Sequence, residues 1–158
     1  MFTTRFIAFA TLAAFAVVNV QAESHTITFA NYCGYGTPTL VSQSGQILST
    51  GGAYNAGGPI IGAIAYLQTG GCGLNGDYCT TVETTLKNGV GASSTDITLI
   101  PDHEFNVAAG FGYYNGCDNT GADCTYYGCP TAFYVPTDTH VQVGCSTDNV
   151  DLTITFCH

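Results

Sequence analysis

Basic residues are almost absent from this chain. Its 158 residues include two Lys or Arg against eleven Asp or Glu, for a formal charge of -9. Arg5 lies in the first 22 residues, so Lys87 is the only Lys or Arg beyond them and residues 23–158 carry -10. Such a surface repels phosphate backbones and anionic headgroups. That excludes nucleic acid and membrane-surface partners and leaves neutral carbohydrate or a basic protein. Acidity alone also serves solubility. Familiar catalytic signatures are missing as well: there is no G-x-S-x-G, no H-E-x-x-H and no Gly-rich phosphate loop. No C-x-x-C pair occurs, which removes the usual zinc spacing. Asn115, Asp118, Asn119 and Asp123 carry calcium-type oxygens, but at no known loop spacing. No metal and no cofactor is expected. No Asn-x-Ser/Thr sequon is present, so no N-glycan is expected, while plentiful Ser and Thr leave O-glycosylation open. Beyond residue 22 no run is long and apolar enough to span a bilayer, and no window has a helical period. No linker, repeat or low-complexity tract argues for a second domain.

Residues 1–22 read as a secretory signal peptide. Arg5 supplies the charged start, and Phe6 to Val18 is apolar apart from Thr11, too short to cross a bilayer comfortably. Val20-Gln21-Ala22 places small residues where signal peptidase reads, so cleavage is expected after Ala22. An uncleaved N-terminal anchor is the alternative. Residues 23–158 are enough for one domain with its own core. All eight cysteines fall there, and an even count behind a signal peptide implies four disulfides in an oxidising compartment. Counting alone leaves 105 pairings.

Short alternating runs dominate the rest. His25 to Ala30, Asp96 to Ile100, Glu104 to Val107, His140 to Val143 and Asp151 to Phe156 alternate apolar and polar, with Val82 to Lys87 a weaker case. Ile60 to Leu67 is continuously apolar, as in a strand buried on both faces. Turn-rich clusters at Thr50 to Pro59, Thr69 to Asp77, Asn88 to Thr95 and Asn115 to Ala122 separate them. Many short strands with Gly-rich turns predict an all-β sandwich.

The order of motifs resembles the thaumatin-like protein family. His25-Thr-Ile-Thr-Phe-Ala-Asn-Tyr-Cys33 is similar to that family's opening strand, which ends in Asn-x-Cys. Ser49-Thr-Gly-Gly52 with Gly57-Gly-Pro59 stands where the family has a Gly-rich turn. Val82-Glu-Thr-Thr-Leu86, Thr95-Asp-Ile-Thr-Leu-Ile100 and Asp102-His-Glu-Phe-Asn-Val107 are similar to its central acidic blocks. Cys129-Pro-Thr-Ala-Phe-Tyr134, Val141-Gln-Val-Gly-Cys145 and Leu152-Thr-Ile-Thr-Phe-Cys157 follow its ending. The resemblance covers residues 24–158 and looks like a reduced secreted form found in mushroom-forming fungi. Two departures stand out. The large disulfide-rich loop domain of full-length members is missing, since Cys124 and Cys129 lie close together. The family's cleft Arg is absent too, because Ala65-Tyr-Leu-Gln-Thr-Gly-Gly-Cys72 contains no basic residue.

The resemblance implies the pairs Cys33–Cys157, Cys72–Cys79, Cys117–Cys145 and Cys124–Cys129. It also implies that Glu83, Asp96 and Asp102 line an acidic cleft, with Asp138 in the tail block a further cleft acid. Glycoside hydrolysis would need two such carboxyls about 5–5.5 Å apart for retention, or about 6.5–9.5 Å for inversion. The plain alternative is that they cap turns or are solvated; Asp96, after Ser93-Ser-Thr95, could bond turn amides. Loss of a cleft wall and of its cation argues against catalysis. Tyr113, Tyr114, Tyr126 and Tyr127 come in pairs within Gly/Asn/Asp-rich loop sequence and could stack on sugar rings. Strand alternation would instead turn one of each pair inward. His25 and His158, near the ends of residues 23–158, are expected at the surface. His103 and His140 flank strands and read as exposed turn residues.

The expectation is a secreted protein of the extracellular space or cell wall that binds β-glucan or another wall polysaccharide as a monomer, with a defence or antifungal role. A weak endo-β-1,3-glucanase is one alternative. A non-catalytic wall-structural or effector protein is the other.

Overall fold

The computed structural model describes residues 22–158; the expected signal peptide, apart from Ala22, lies outside the described residues. Twelve strands form among these: β1 (His25–Asn31), β2 (Thr37–Val41), β3 (Ile47–Ser49), β4 (Tyr54–Ala56), β5 (Ile60–Gln68), β6 (Thr81–Leu86), β7 (Ser93–Thr98), β8 (Ala109–Tyr114), β9 (Gly121–Cys124), β10 (Ala132–Phe133), β11 (Val143–Cys145) and β12 (Asp151–Phe156). A single 3-10 turn spans Thr139–Val141. No helix of the described residues is long and apolar enough to cross a membrane.

The strands make two sheets. A five-stranded sheet runs β4-β1-β12-β8-β9, and a seven-stranded sheet runs β10-β7-β6-β5-β2-β3 with β11 paired to β7. β1 lies parallel to β12, with Ile27 opposite Leu152 and Phe29 opposite Ile154. That register stacks the apolar sets of both strands on one face. Ile27, Leu152, Ile154 and Phe156 of one sheet pack against Leu40, Leu67, Val82, Leu86 and Ile97 of the other, all essentially sealed from water. The architecture is the expected all-β sandwich.

Four disulfides close it: Cys33–Cys157, Cys72–Cys79, Cys117–Cys145 and Cys124–Cys129, the pairs implied by the resemblance. Cys33–Cys157 ties the ends of the parallel neighbours β1 and β12 across 124 residues of sequence. Cys117–Cys145 links the β8–β9 turn of one sheet to β11 of the other. Four disulfides are compatible with an extracellular protein.

Several elements depart from the sequence expectation. Glu104 to Val107 is not a strand. The Asn106 carboxamide accepts the Thr80 and Val107 amides, and Thr80 Oγ1 donates to the Val107 carbonyl, so side chains replace a ladder there. His140 to Val143 splits into the 3-10 turn and the start of β11. β7 begins at Ser93, inside a predicted turn, because buried hydroxyls are bonded: Ser93 Oγ to both backbone groups of Lys87, and Thr95 Oγ1 to Thr84 Oγ1 at 2.7 Å. β8 and β9 also run through glycine-rich sequence. A Cβ at Gly121 would strike the Phe111 carbonyl, so the close approach of these strands requires glycine. His25 is buried rather than exposed; its Nδ1 bonds the Val150 carbonyl at 2.6 Å and its Nε2 meets Glu23 at 3.3 Å.

Candidate functional site

Alternation along β6 sends Val82, Thr84 and Leu86 into the sandwich and Glu83 outward. On β7 the same rule sends Thr95 and Ile97 inward and Asp96 to the outer face. The β6–β7 register sets Glu83 directly opposite Asp96, and the β5–β6 register sets Ile64 opposite Glu83. Direct cross-strand partners have Cβ atoms about 4.5–5.5 Å apart. Two carboxyls of the predicted cleft therefore stand side by side on the outer face of the seven-stranded sheet.

Their environments differ. Glu83 is exposed, whereas Asp96 is 7% exposed. Burial, and behind it the charge of Glu83, pushes the Asp96 carboxyl up to about 6; a long 3.5 Å bond from Gln142 Nε2 opposes this weakly. Glu83, Asp96, Thr98, Ile100, Phe133, Pro136 and Gln142 line an open hollow of about 220 Å³. No Lys or Arg is among them.

The other two acids lie apart. Asp102 is exposed in the turn after β7 and does not line this hollow; its carbonyl accepts the Tyr78 amide. Asp138 is a turn cap. Its Oδ2 accepts the Tyr134 and Val135 amides at 3.0 and 3.1 Å, and those bonds hold its carboxyl below the usual range.

The tyrosine pairs also divide. Tyr113 and Tyr114 lie in β8, not in a loop. Tyr113 points into the core, 4% exposed, with its hydroxyl 2.9 Å from both Thr95 Oγ1 and the Val143 carbonyl, so it is no ligand contact. Tyr114 is half-buried on the five-stranded sheet, away from the acids. Alternation thus decides the first pair. Tyr126 and Tyr127 are 58% and 80% exposed, on the short loop closed by Cys124–Cys129.

A larger hollow of about 450 Å³ lies beside that loop, lined by Leu99, Pro101, His103, Glu104, Phe105, Tyr127 and Tyr134. Sequence reasoning missed Glu104, Phe105 and Tyr134 as site residues, and it read His103 as a plain turn residue. A third hollow, about 260 Å³, has Gln43, Ile64, Asn75, Glu83 and His103 in its wall. Among the described residues no group of three or more His, Cys, Asp or Glu could hold a metal ion. Asp123 instead pairs with His158 Nε2 at 2.7 Å.

No protein-family model matches the sequence, and no curated protein sequence matches it. Among solved structures, a thaumatin-like xylanase inhibitor is similar, with a TM-score of 0.56 at 20% identity, over 85% of this chain and 99% of that one. The fold is thaumatin-like. In this thaumatin-like fold Cys124 and Cys129, five residues apart, close a tight loop.

Proposed function

We propose that this thaumatin-like chain is a secreted, non-catalytic carbohydrate-binding protein. It holds a neutral wall polysaccharide, β-glucan first, against the outer face of its seven-stranded sheet. The observation that carries the reading is the Glu83–Asp96 pair, side by side with Gln142 in an open hollow that also presents Phe133 and Pro136. Carboxyl and carboxamide groups bond sugar hydroxyls, and flanking apolar surface receives the C–H faces of the ring. The charge of -10 over residues 23–158 disfavours anionic polymers and leaves neutral ones. An open hollow with an exposed Glu83 excludes water poorly, which favours binding over hydrolysis.

Sedimentation with insoluble β-1,3-glucan tests this. The wild type is expected in the pellet, and Glu83→Gln is expected to weaken retention several-fold. A wild type that stays in the supernatant refutes the reading.

One observation favours a second reading. A carboxyl raised to about 6 beside an exposed carboxylate is the division of labour that a glycosidase uses. Weak endo-β-1,3-glucanase activity would then run through Asp96 as acid and Glu83 as its partner. Reducing-sugar release from laminarin by the wild type, abolished in Glu83→Gln, supports it; no release by the wild type ends it.

A further inference from the structure

We infer that the hollow bounded by Phe105, Tyr127 and Tyr134 is a second sugar subsite, joined to the acid-lined hollow through His103 and Glu83, so that the ligand is an oligosaccharide spanning several rings. The inference rests on the carbohydrate reading above and specifies how much of the polymer is held.

Size comes first. At about 450 Å³ this is the roomiest of the hollows described above, and it falls within the range of small-ligand sites, about 300–1,000 Å³. Its chemistry comes next. Tyr127 is 80% exposed, yet its loop is fixed at both ends by the Cys124–Cys129 bridge, whose cysteines are buried. A large ring presented to water on a short, stapled loop loses little freedom when a ligand stacks on it. Tyr134 stands close by, with its hydroxyl 3.8 Å from Cys129 Sγ. Leu99, Pro101 and Phe105 complete an apolar wall.

The polar groups suit hydroxyls rather than a charge. His103 Nδ1 lies 3.0 Å from the Gly76 carbonyl and 3.1 Å from Thr81 Oγ1. A carbonyl can only accept, which assigns the proton to Nδ1 and leaves Nε2 of the neutral ring as an acceptor. Nε2 makes no hydrogen bond among the described residues. Together with the Glu104 carboxylate it offers acceptors to donor hydroxyls, beside aromatic faces. That combination recognises a neutral pyranose, with hydroxyls at its edge and C–H groups on its faces.

Continuity makes the site extended. His103 lines both this hollow and the middle one, and Glu83 lines both the middle one and the acid-lined one. The three hollows thus follow one another along the surface, and a linear ligand laid over His103 and Glu83 would run from the tyrosines across the sheet to Asp96.

The test titrates the full secreted chain with a β-1,3-linked disaccharide, tetrasaccharide and hexasaccharide, read by calorimetry and by tyrosine emission. With ten Tyr and no Trp, that emission is unobscured. Affinity is expected to climb with length. Tyr127→Ala should lower hexasaccharide affinity roughly three- to tenfold, as for loss of one aromatic contact, and flatten the length dependence. Tyr127→Phe should keep both, because stacking survives. If the wild type binds the oligosaccharides but Tyr127→Ala leaves affinity and length dependence unchanged, the second subsite is overturned while the acid-lined site stands. If the wild type binds none of them, both readings fall. A Tyr127-dependent response to polylysine with none to saccharides overturns the inference in favour of a basic protein partner.

Discussion

Replacing Asp96 by Asn removes a carboxyl that is 7% exposed and stands opposite Glu83. In the unfolded chain this group loses its proton near the ordinary value of 3.8, whereas in the fold it does so near 6. Between those values the folded state binds more protons than the unfolded one, so stability falls as pH rises through that window. Above about pH 6 the penalty is complete. A difference of about 2 units at 1.36 kcal/mol each amounts to about 3 kcal/mol. Asp96→Asn keeps the shape and lets the amide face Glu83 without repulsion. It should therefore match the wild type near pH 3 and exceed it by up to about 3 kcal/mol at pH 7.5. Urea unfolding at pH 3, 5 and 7.5 measures this, and taking the difference between the two proteins cancels titrations they share. A gap that stays flat from pH 3 to 7.5, or favours the wild type at the higher pH, would refute the assignment of a buried, charge-opposed carboxyl.

Removing the Cys33–Cys157 pair opens a 124-residue loop and should cost about 5 kcal/mol in the chain-entropy treatment, against about 2 kcal/mol for the 7-residue Cys72–Cys79 loop. Denaturant unfolding of the paired Ala variants reads the ranking, and a larger loss at Cys72–Cys79 reverses it. Tyr113→Phe removes the hydroxyl bonded to Thr95 Oγ1 and the Val143 carbonyl and should lower stability by about 1 kcal/mol while leaving glucan binding unchanged. Ser94 Oγ is buried without a partner among the described residues, so Ser94→Ala should be neutral or slightly stabilising in thermal unfolding. N-terminal sequencing of the secreted product should begin at Glu23; retention of residues 1–22 contradicts the signal-peptide reading.

How much could be read from the sequence depended on whether side chains or the backbone set each element. β1 and β12 were legible because Ile27, Phe29, Leu152, Ile154 and Phe156 alternate cleanly, and their pairing buries one face of each. β5 was legible from its unbroken apolar run, but only its second half is covered on both faces: Ala63, Ala65 and Leu67 face the main core and Tyr66 meets Val41 and the Cys72–Cys79 bridge behind, whereas Ile61 is exposed. β8 was not legible, because Gly110 and Gly112 look like turn residues; a Cβ at Gly110 would strike Asp123 of β9, whereas one at Gly112 would meet open space. Glu83 and Asp96 drew notice through a resemblance and through alternation. That they face each other follows from register, which no single strand encodes. Asp138, a further candidate from the tail block, proved to be a cap, since the Val135 and Tyr134 amides three and four residues back bond its carboxylate. His103 joins two hollows only because the Cys72–Cys79 loop brings the Gly76 carbonyl to its Nδ1, a contact across 27 residues of chain.

The most direct measurement is an amide chemical-shift titration of the isotope-labelled protein with a soluble β-1,3-glucan oligosaccharide. The account predicts shifts at Glu83, Asp96, Thr98 and Gln142, extending to His103 and Tyr127 as the ligand lengthens, with the β1, β12 and β8 amides unmoved. Absence of any shift, or shifts confined to the five-stranded sheet, would contradict it.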